Sequence, residues 1–299
     1  MQPTLTFVIP VRHPSNARDW KELKSNLAIT LRSISNQAEI GWSAILVANR
    51  GSDLPALPPG VRVKWVDFPP NPLHEQGLAH KEQFLEAVRL DKGRRILAGM
   101  LDASATDYFM VTDDDDLVSS RLTGFVKTNR GQNGWFVRHG YIWSPGSRLL
   151  YRHPDFSMVC GTSHIVRADL FELPQSIEEA SDEYIKQMLG SHIFITKHLK
   201  EHQTPLLPLP FVGAVYRTGH VGAHSRSKDI FSTYLMDAWL LKSPGELSRR
   251  ISRLRILGQG IRHEFFGPYA TAAHAQRSLS ESNEMVLDDD ILQASDNNA

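Results

Sequence analysis

Four consecutive aspartates, Asp113 to Asp116, follow directly on apolar, β-prone residues in the segment YFMVTDDDDLVS. Adjacent like charges repel one another, so the fold must gain something by gathering them. Carboxylate oxygens at the end of a strand are ligands that Mg²⁺ or Mn²⁺ prefers, and alternate residues of an extended segment point to one side. A cation held there would also accept the phosphate oxygens of a nucleotide. The segment therefore predicts a site for a divalent cation and a phosphorylated ligand.

A plain structural explanation also exists for such a run. The segment LVSSRLTGFVKTN follows the aspartates, and the N-terminus of a helix favours acidic side chains. This alternative accounts for only part of the run. A second run, Asp288 to Asp290, has no strand before it and is predicted to be a solvated charge run.

The elements that would position the aspartates alternate between strand and helix. Strands are predicted over Leu5 to Val11, Ser43 to Asn49, Val61 to Phe68 and Asp107 to Thr112, and helices over Asp19 to Gln37 and Leu78 to Ala103, the second interrupted near Asp91-Lys92-Gly93. Such alternation is typical of a largely parallel sheet in an α/β fold. Ligands of these sheets bind beyond the carboxyl ends of the strands, where the polar clusters VRHPSN, NRGSD and DDDD lie.

Composition narrows the class of protein. Of 299 residues, 41% are hydrophobic and 22% charged, which is near the globular average. Lys+Arg and Asp+Glu both total 33, which disfavours nucleic acid as a partner. The lone cysteine, Cys160, excludes an internal disulfide and fits a cytoplasmic setting. No segment has the pattern of a secretion signal or a membrane span.

Residues 1–235 are predicted to form the main domain, with a first half over 1–116 and a second half over 117–235 that shapes a pocket. A helical segment is predicted over 236–278, interrupted by Pro244 and by Gly258-Gln259-Gly260, and the polar residues 279–299 predict a disordered acidic tail. In the helical segment, SRRISRLRILGQGIRHE combines arginines with apolar residues at helical spacing. This pattern predicts a helix that packs on its own domain or, alternatively, lies peripherally on the inner face of a membrane.

Three motifs in this order resemble the glycosyltransferases with the GT-A fold, especially glycosyltransferase family 2. They are VIPV in the first strand, TLRSISNQ in the first helix, and YFMVTDDDD, whose Asp113 and Asp115 form an Asp-x-Asp pair. The resemblance covers roughly the first 120 residues. It implies the fold of a nucleotide-diphospho-sugar transferase: a Rossmann-like, mixed, mainly parallel sheet flanked by helices, with C-terminal helices.

The resemblance also implies an activity. A sugar would pass from a nucleoside diphosphate, expected to be UDP, to an acceptor hydroxyl in polysaccharide or glycolipid synthesis, with Mn²⁺ or Mg²⁺ as cofactor. The acceptor is expected to be a carbohydrate or a lipid-linked molecule. The donor sugar, the stereochemical outcome and the oligomeric state stay open.

Site residues follow from the same resemblance. The implied nucleotide-binding residues are Pro10, Val11, Arg12, Asn49, Lys92, Arg95, Asp113 and Asp114. The implied metal ligands are Asp113, Asp115 and Asp116, with His220 or His224 as a late ligand unless these histidines belong to a polar surface loop. Asn49 stands where the family usually has an aspartate that accepts the uracil N–H, and an amide also donates, so the base stays open.

A general base for the acceptor hydroxyl is sought in the second half. Inverting members of the family use a carboxylate there, and EEASDEYIKQM offers Asp182 and Glu183, although an exposed acidic run is an equal alternative. His192, in LGSHIFI, is another candidate because an imidazole can take up a proton near neutral pH. A packed, hydrogen-bonded core histidine is its alternative.

Two other functions are kept as alternatives. The domain could bind a nucleotide sugar or a metal without turnover. A phosphatase of the haloacid-dehalogenase type also has an Asp-x-Asp at a strand end, with a Thr or Val where Leu117 stands here. Its motif normally lies on the first strand, whereas several elements precede this one.

Overall fold

The centre of the main sheet consists of four parallel strands. They are β1 (Leu5–Pro10), β2 (Trp42–Asn49), β3 (Val61–Val66) and β4 (Tyr108–Val111). The computed structural model describes residues 2–75, 80–103, 105–219 and 243–267. Every residue of β1 is buried, because β2 and β4 pair with its two edges and helices cover both faces. A strand covered on both faces is apolar throughout, and this explains the uninterrupted run LTFVIP.

The remaining strands extend this sheet and form a second one. They are β5 (Leu117–Val118), β6 (Gly134–Phe136), β7 (Gly140–Trp143), β8 (Leu149–His153), β9 (His164–Arg167), β10 (Leu207–Pro208), β11 (Ala214–Arg217) and β12 (Leu254–Ile256). The main sheet has the order β10-β6-β9-β4-β1-β2-β3, and only β9 among these strands runs antiparallel to its neighbours. The second sheet has the order β12-β8-β7-β11-β5. The predicted mixed, mainly parallel α/β fold flanked by helices is therefore confirmed.

Helices alternate with these strands along the chain. They are α1 (Trp20–Ser35), α2 (Lys81–Asp102), α3 (Leu122–Thr128), α4 (Asp182–Tyr184), α5 (His192–Glu201), α6 (Pro244–Ile251) and α7 (Gln259–Phe266), and α4 continues as a π-helical turn over Ile185–Leu189. Alternate β1 side chains point to opposite faces, so Phe7 packs in the cluster that contains Leu27 of α1, whereas Val8 packs in the cluster that contains Ile96 of α2. Because β1 runs parallel to β2 and β4, the carboxyl ends of the three strands lie at one edge of the sheet.

One predicted break is wrong, because α2 runs without interruption through Asp91-Lys92-Gly93. Gly93 permits a close approach there instead of ending the helix. A Cβ on Gly93 would lie 2.6 Å from Ile185 Cγ2 and 2.8 Å from Ile185 O. Gly190 makes the reciprocal approach, since a Cβ there would lie 2.6 Å from Arg89 O. The two glycines bring the π-helical turn that precedes α5 against α2.

Within residues 243–267 the predicted interruptions at Pro244 and Gly258-Gln259-Gly260 coincide with helix starts, but the segment between them is not all helical as predicted. Pro244 begins α6, at a position that needs no N–H donor, and Gly258 precedes α7. Between them β12 pairs with β8 and extends the edge of the second sheet. The arginine-rich segment is therefore not one amphipathic helix, which removes the basis for the predicted membrane contact.

Some predictions concern residues outside the described ranges. They include His220, His224, the tail over residues 279–299 and both ends of the segment 236–278. The domain boundary at residue 235 stays a prediction. In the described ranges, no helix combines the length and apolarity that a membrane crossing requires.

Candidate functional site

The aspartate run lies at the edge of a cavity, and its side chains differ in burial. Asp113, Asp114 and Asp115 line the cavity; Asp113 and Asp115 are half-buried, whereas Asp114 and Asp116 are 6% and 1% exposed. Strand β5 separates the run from the start of α3. The explanation of the run by a helix N-terminus is therefore wrong. The aspartates form a turn after β4, in which the backbone N–H of Asp116 donates to the Asp113 carbonyl at 3.3 Å.

Asp113 forms an ion pair with a lysine of α2. The Nζ atom of Lys92 lies 2.5 Å from Oδ1 of Asp113, and the backbone N–H of Asp113 donates to Thr162 Oγ1 at 2.9 Å. Burial alone would lower the pKa of Lys92, but the Asp113 charge and hydrogen bond raise it above its usual value. A Cβ on Gly161 would lie 2.9 Å from Asp113 Oδ2 and 3.2 Å from Lys92 Nζ, so the glycine keeps space for this pair.

The two inward aspartates resist ionisation. Burial raises the pKa of Asp114 to about 6, although the charge of Arg12 acts in the opposite direction. Burial, and then the charges of Asp115 and Asp113, raise the pKa of Asp116 well above its usual range. The run thus contains two half-buried carboxylates, Asp113 and Asp115, and two that burial favours in the neutral form.

Asp116 does not have the surroundings predicted for a metal ligand. The Cys160 thiol donates to its Oδ2 at 3.2 Å, and the backbone N–H of Arg217 donates to its Oδ1 at 3.4 Å. A cation could reach these oxygens only by displacing such contacts. The geometry favours Asp113 and Asp115 as the exposed pair and gives Asp116 a supporting position beneath them.

The cavity at the carboxyl edge of the sheet has a volume of about 230 Å³. Its described lining consists of Pro10, Arg12, Asn16, Asn71, His74, Val88, Asp91, Lys92, Arg95, Asp113, Asp114, Asp115 and Tyr216. Six of the predicted nucleotide-binding residues are in this lining, whereas Val11 is fully buried and Asn49 is only 5% exposed. The structure thus brings most of the predicted nucleotide site together around one space.

A buried arginine organises the end of the cavity beside β2. Arg95 is 1% exposed, and its Nη1 donates to Asn49 Oδ1 at 2.7 Å. Its Nε and Nη2 atoms donate to the two carboxylate oxygens of Asp91 at 3.2 and 3.0 Å. The NH₂ group of Asn49 donates to Phe68 O at 2.7 Å. Both ends of the Asn49 amide therefore have partners inside the protein.

A second, smaller cavity of about 50 Å³ contains the predicted base His192. Lys92 lines both cavities, and Gly161 and His164 also line the smaller one. Among the residues that the structure describes, His192 Nε2 is buried without a hydrogen-bond partner. His164 differs, because its two ring nitrogens lie 3.0 Å from Ser163 Oγ and 2.8 Å from Thr196 Oγ1. His164 is thus the packed, hydrogen-bonded histidine of the two, and His192 retains a nitrogen that could accept a proton.

The two carboxylates predicted as candidate bases, Asp182 and Glu183, lie at the protein surface. The side chain of Asp182 is 60% exposed and pairs with Arg94 at 3.0 Å. The side chain of Glu183 is 68% exposed and pairs with Lys186 at 3.4 Å. Neither belongs to the described lining of the two cavities. This placement matches the exposed acidic run that the sequence left as an alternative.

Stability should depend on pH through His192. Burial, and then the Lys92 charge, lower the pKa of His192 from 6.5 to about 4. The unfolded chain binds a proton in this interval that the folded chain excludes, so the free energy of unfolding should fall as pH decreases from 6.5 to about 4. The His192 contribution is at most about 3 kcal/mol. Urea unfolding of the wild type and His192→Gln across this interval measures it, and equal pH slopes for both proteins would contradict the assignment.

The cavity-facing aspartates can hold a divalent cation only if other groups complete its coordination. Among the described residues, no three His, Cys, Asp or Glu side chains form a metal-binding group. Asp113 and Asp115 nevertheless line one cavity together, and Mg²⁺ is commonly held by one or two carboxylates, water and substrate phosphates. The pair therefore fits a cation that binds together with a phosphorylated ligand, and Lys92 balances Asp113 without one.

Several residues in or beside the cavity lie outside the set predicted from the sequence, and Asp91 and Arg217 are two that bear on its chemistry. Asp91 was noted only as part of a supposed helix break, yet its spacing from Lys92 and Arg95 places all three on one side of a continuous helix. That spacing could have identified Asp91 as a site residue from the sequence. Arg217 is 3% exposed and donates to Asn26 Oδ1 at 2.7 Å beneath the aspartates. Nothing in the local sequence distinguishes Arg217 from a surface arginine.

The fold and the position of the cavity place the protein in the class of α/β proteins whose ligand sites lie beyond the carboxyl ends of parallel strands. No protein-family model matches the sequence. No curated protein matches it significantly either.

Solved structures match at low similarity. A crystal structure of S. aureus TarS 1-349 has a TM-score of 0.43 and 9% identity, and the match covers 73% of this chain and 60% of that chain. A second TarS structure has a TM-score of 0.41 and 9% identity, over 73% of this chain and 37% of that chain. TarS is a glycosyltransferase. The chain thus spans less than two thirds of these TarS structures.

A structure of Rv0371c from Mycobacterium tuberculosis H37Rv in complex with manganese is also similar. Its TM-score is 0.34 at 11% identity, over 84% of this chain and 100% of that chain. At such identities and TM-scores, neither a shared site nor a shared activity follows from the match.

Proposed function

We propose that this protein is a glycosyltransferase that moves a sugar from a nucleoside diphosphate, expected to be UDP, to an acceptor hydroxyl. The observation that carries the proposal is the composition of the 230 Å³ cavity. Asp113 and Asp115 lie in one lining with Arg12 and Lys92, so carboxylates that suit a cation share a space with cations that suit phosphates.

The cationic side chains provide for a diphosphate. Lys92 Nζ is positioned at Asp113 and can donate to a phosphate oxygen from there. Arg12 lies 4.0 Å from Asp114, and its charge adds to that of Lys92 in the same lining. When bound between Asp113 and Asp115, Mg²⁺ or Mn²⁺ would stabilise the negative charge of the departing diphosphate.

His192 is the proposed base for the acceptor hydroxyl. The low pKa keeps the imidazole neutral at physiological pH but also makes it a weak base, so His192 is favoured by its unpartnered Nε2, which can accept the proton that the hydroxyl loses. Lys92 contributes to the walls of both cavities, so the His192 cavity adjoins the phosphate end of the larger one. Asp182 and Glu183 are the less favoured candidates because of their exposure.

A thermal-shift screen of nucleotide sugars with and without Mn²⁺ tests the proposal. The metal alone should shift the melting temperature little, since Lys92 already pairs with Asp113, whereas a nucleotide sugar and Mn²⁺ together should raise it by several degrees. Release of free nucleoside diphosphate in the presence of candidate acceptors then measures turnover. Indifference to every nucleotide sugar would overturn the proposal, and binding without turnover would favour a binding module.

A further inference from the structure

The residue that should recognise the base by family resemblance is not available for it. Asn49 is 5% exposed, its Oδ1 accepts from Arg95 and its NH₂ donates to Phe68 O. A base that contacted this amide would have to displace one of these contacts inside the protein. Base recognition at this end of the cavity must therefore come from another group.

Asp91 has the position and the free acceptor capacity for that role. It lines the cavity from α2, and its side chain is 21% exposed. Each carboxylate oxygen accepts one hydrogen bond from Arg95, and each has further lone pairs. Because Arg95 is 1% exposed and also bonded to Asn49, the carboxylate is held by a rigid partner.

Helix α2 also relates Asp91 to the phosphate end of the cavity. Lys92, the next residue, pairs with Asp113, and both residues contribute to one lining. One helix thus presents a cation near the metal-binding aspartates and a carboxylate near the end of β2. A nucleotide with its phosphates near Lys92 could place its base near Asp91.

A carboxylate in this position discriminates between bases by their hydrogen-bonding edges. A carboxylate recognises a partner by accepting hydrogen bonds, and both oxygens of Asp91 are oriented by the bonds they accept from Arg95. Uracil and guanine carry a ring N–H on the pairing edge, whereas cytosine and adenine carry a lone pair at that ring nitrogen. Cytosine and adenine can still donate from the exocyclic amino group beside that nitrogen, but their lone pair facing the carboxylate is repelled, which a desolvated site penalises.

We propose that Asp91, held by Arg95, is the base-recognising residue and that it selects nucleoside diphosphates whose base has a ring N–H, namely those of uracil or guanine. This inference rests on the proposed function. It transfers the acceptor role from Asn49 at the end of β2 to a carboxylate on α2.

Calorimetric titration of UDP, GDP, CDP and ADP, each with Mg²⁺, tests the proposal on the full chain. The wild type should bind UDP or GDP at least about ten-fold more tightly than CDP and ADP, and the comparison of UDP with GDP identifies the base. In Asp91→Asn the preference should shrink to about three-fold or less, because an amide both donates and accepts. Glu82→Gln, an exposed acid on the same helix, is the matched control and should retain the wild-type preference.

The outcomes separate the inference from the proposed function. If no nucleoside diphosphate binds the wild type, the proposed function fails and the inference fails with it. If they bind without base preference, or if CDP or ADP is preferred, only the role of Asp91 is overturned. An equal loss of affinity for all four in Asp91→Asn, with the base preference retained, also overturns it, since Asp91 would then only position Arg95.

Discussion

Replacement of Asp115 by asparagine should lower sugar transfer by about 10²- to 10³-fold while the protein stays folded. Asp115 is half-buried and faces the cavity, so the isosteric amide fits the same space. The change removes a charge that would help to hold the cation at the departing diphosphate. Asp113→Asn should have a similar effect and also breaks the Lys92 ion pair.

The measurement is the rate of nucleoside diphosphate release from the nucleotide sugar that the thermal-shift screen selects. Asp67→Asn is a suitable control, because the Asp67 side chain is 73% exposed and pairs with Arg50 outside the described lining of the cavity. Unchanged turnover in Asp115→Asn, at unchanged melting temperature, would eliminate the Asp-x-Asp pair as the catalytic metal site.

His192→Gln should lower kcat by about 10²- to 10⁴-fold and leave nucleotide affinity close to that of the wild type. The loss should fall on kcat because a base acts on the acceptor hydroxyl and not on the bound donor. The pKa of about 4 also predicts that wild-type activity depends little on His192 protonation above neutral pH. Single-turnover rates and donor affinities of both proteins separate the two effects.

Asp182→Asn and Glu183→Gln are the matched comparisons for this experiment. Both carboxylates were candidates for the same role, and both are exposed and ion-paired at the surface. We expect each variant to retain turnover within about three-fold of the wild type, as for most surface substitutions. A large loss in either variant with full activity in His192→Gln would return the base to the carboxylates.

Strand-and-helix order was predictable over the first half of the chain because local patterns dominate there. The stripe of Leu23, Leu27 and Leu31 spaced along α1, and the apolar run of β1, each report burial through spacing alone. The segment around residues 254–256 was not predictable in the same way. The residues LRI are compatible with either a helix or a strand, and they form a strand because they pair with the exposed edge of β8.

Gly93 is a single residue at which the local sequence pattern also failed to predict the structure. In the sequence, Asp-Lys-Gly resembles a helix break, since glycine costs helical stability. In the structure the missing Cβ lets the backbone around Ile185 and Gly190 approach α2, and tertiary packing outweighs local propensity. That contact, in turn, places His192 beside Lys92.

The sequence by itself determined that an apolar strand ends in four aspartates at the carboxyl edge of a mainly parallel sheet, because strand burial and alternation are local properties. Tertiary structure alone decided which groups meet there. It engaged Asn49 with Arg95, presented Asp91 to the cavity and left Asp182 and Glu183 at the surface. These outcomes depend on contacts between residues far apart in the chain, which are set by how helices dock on the sheet and not by the spacing of neighbours.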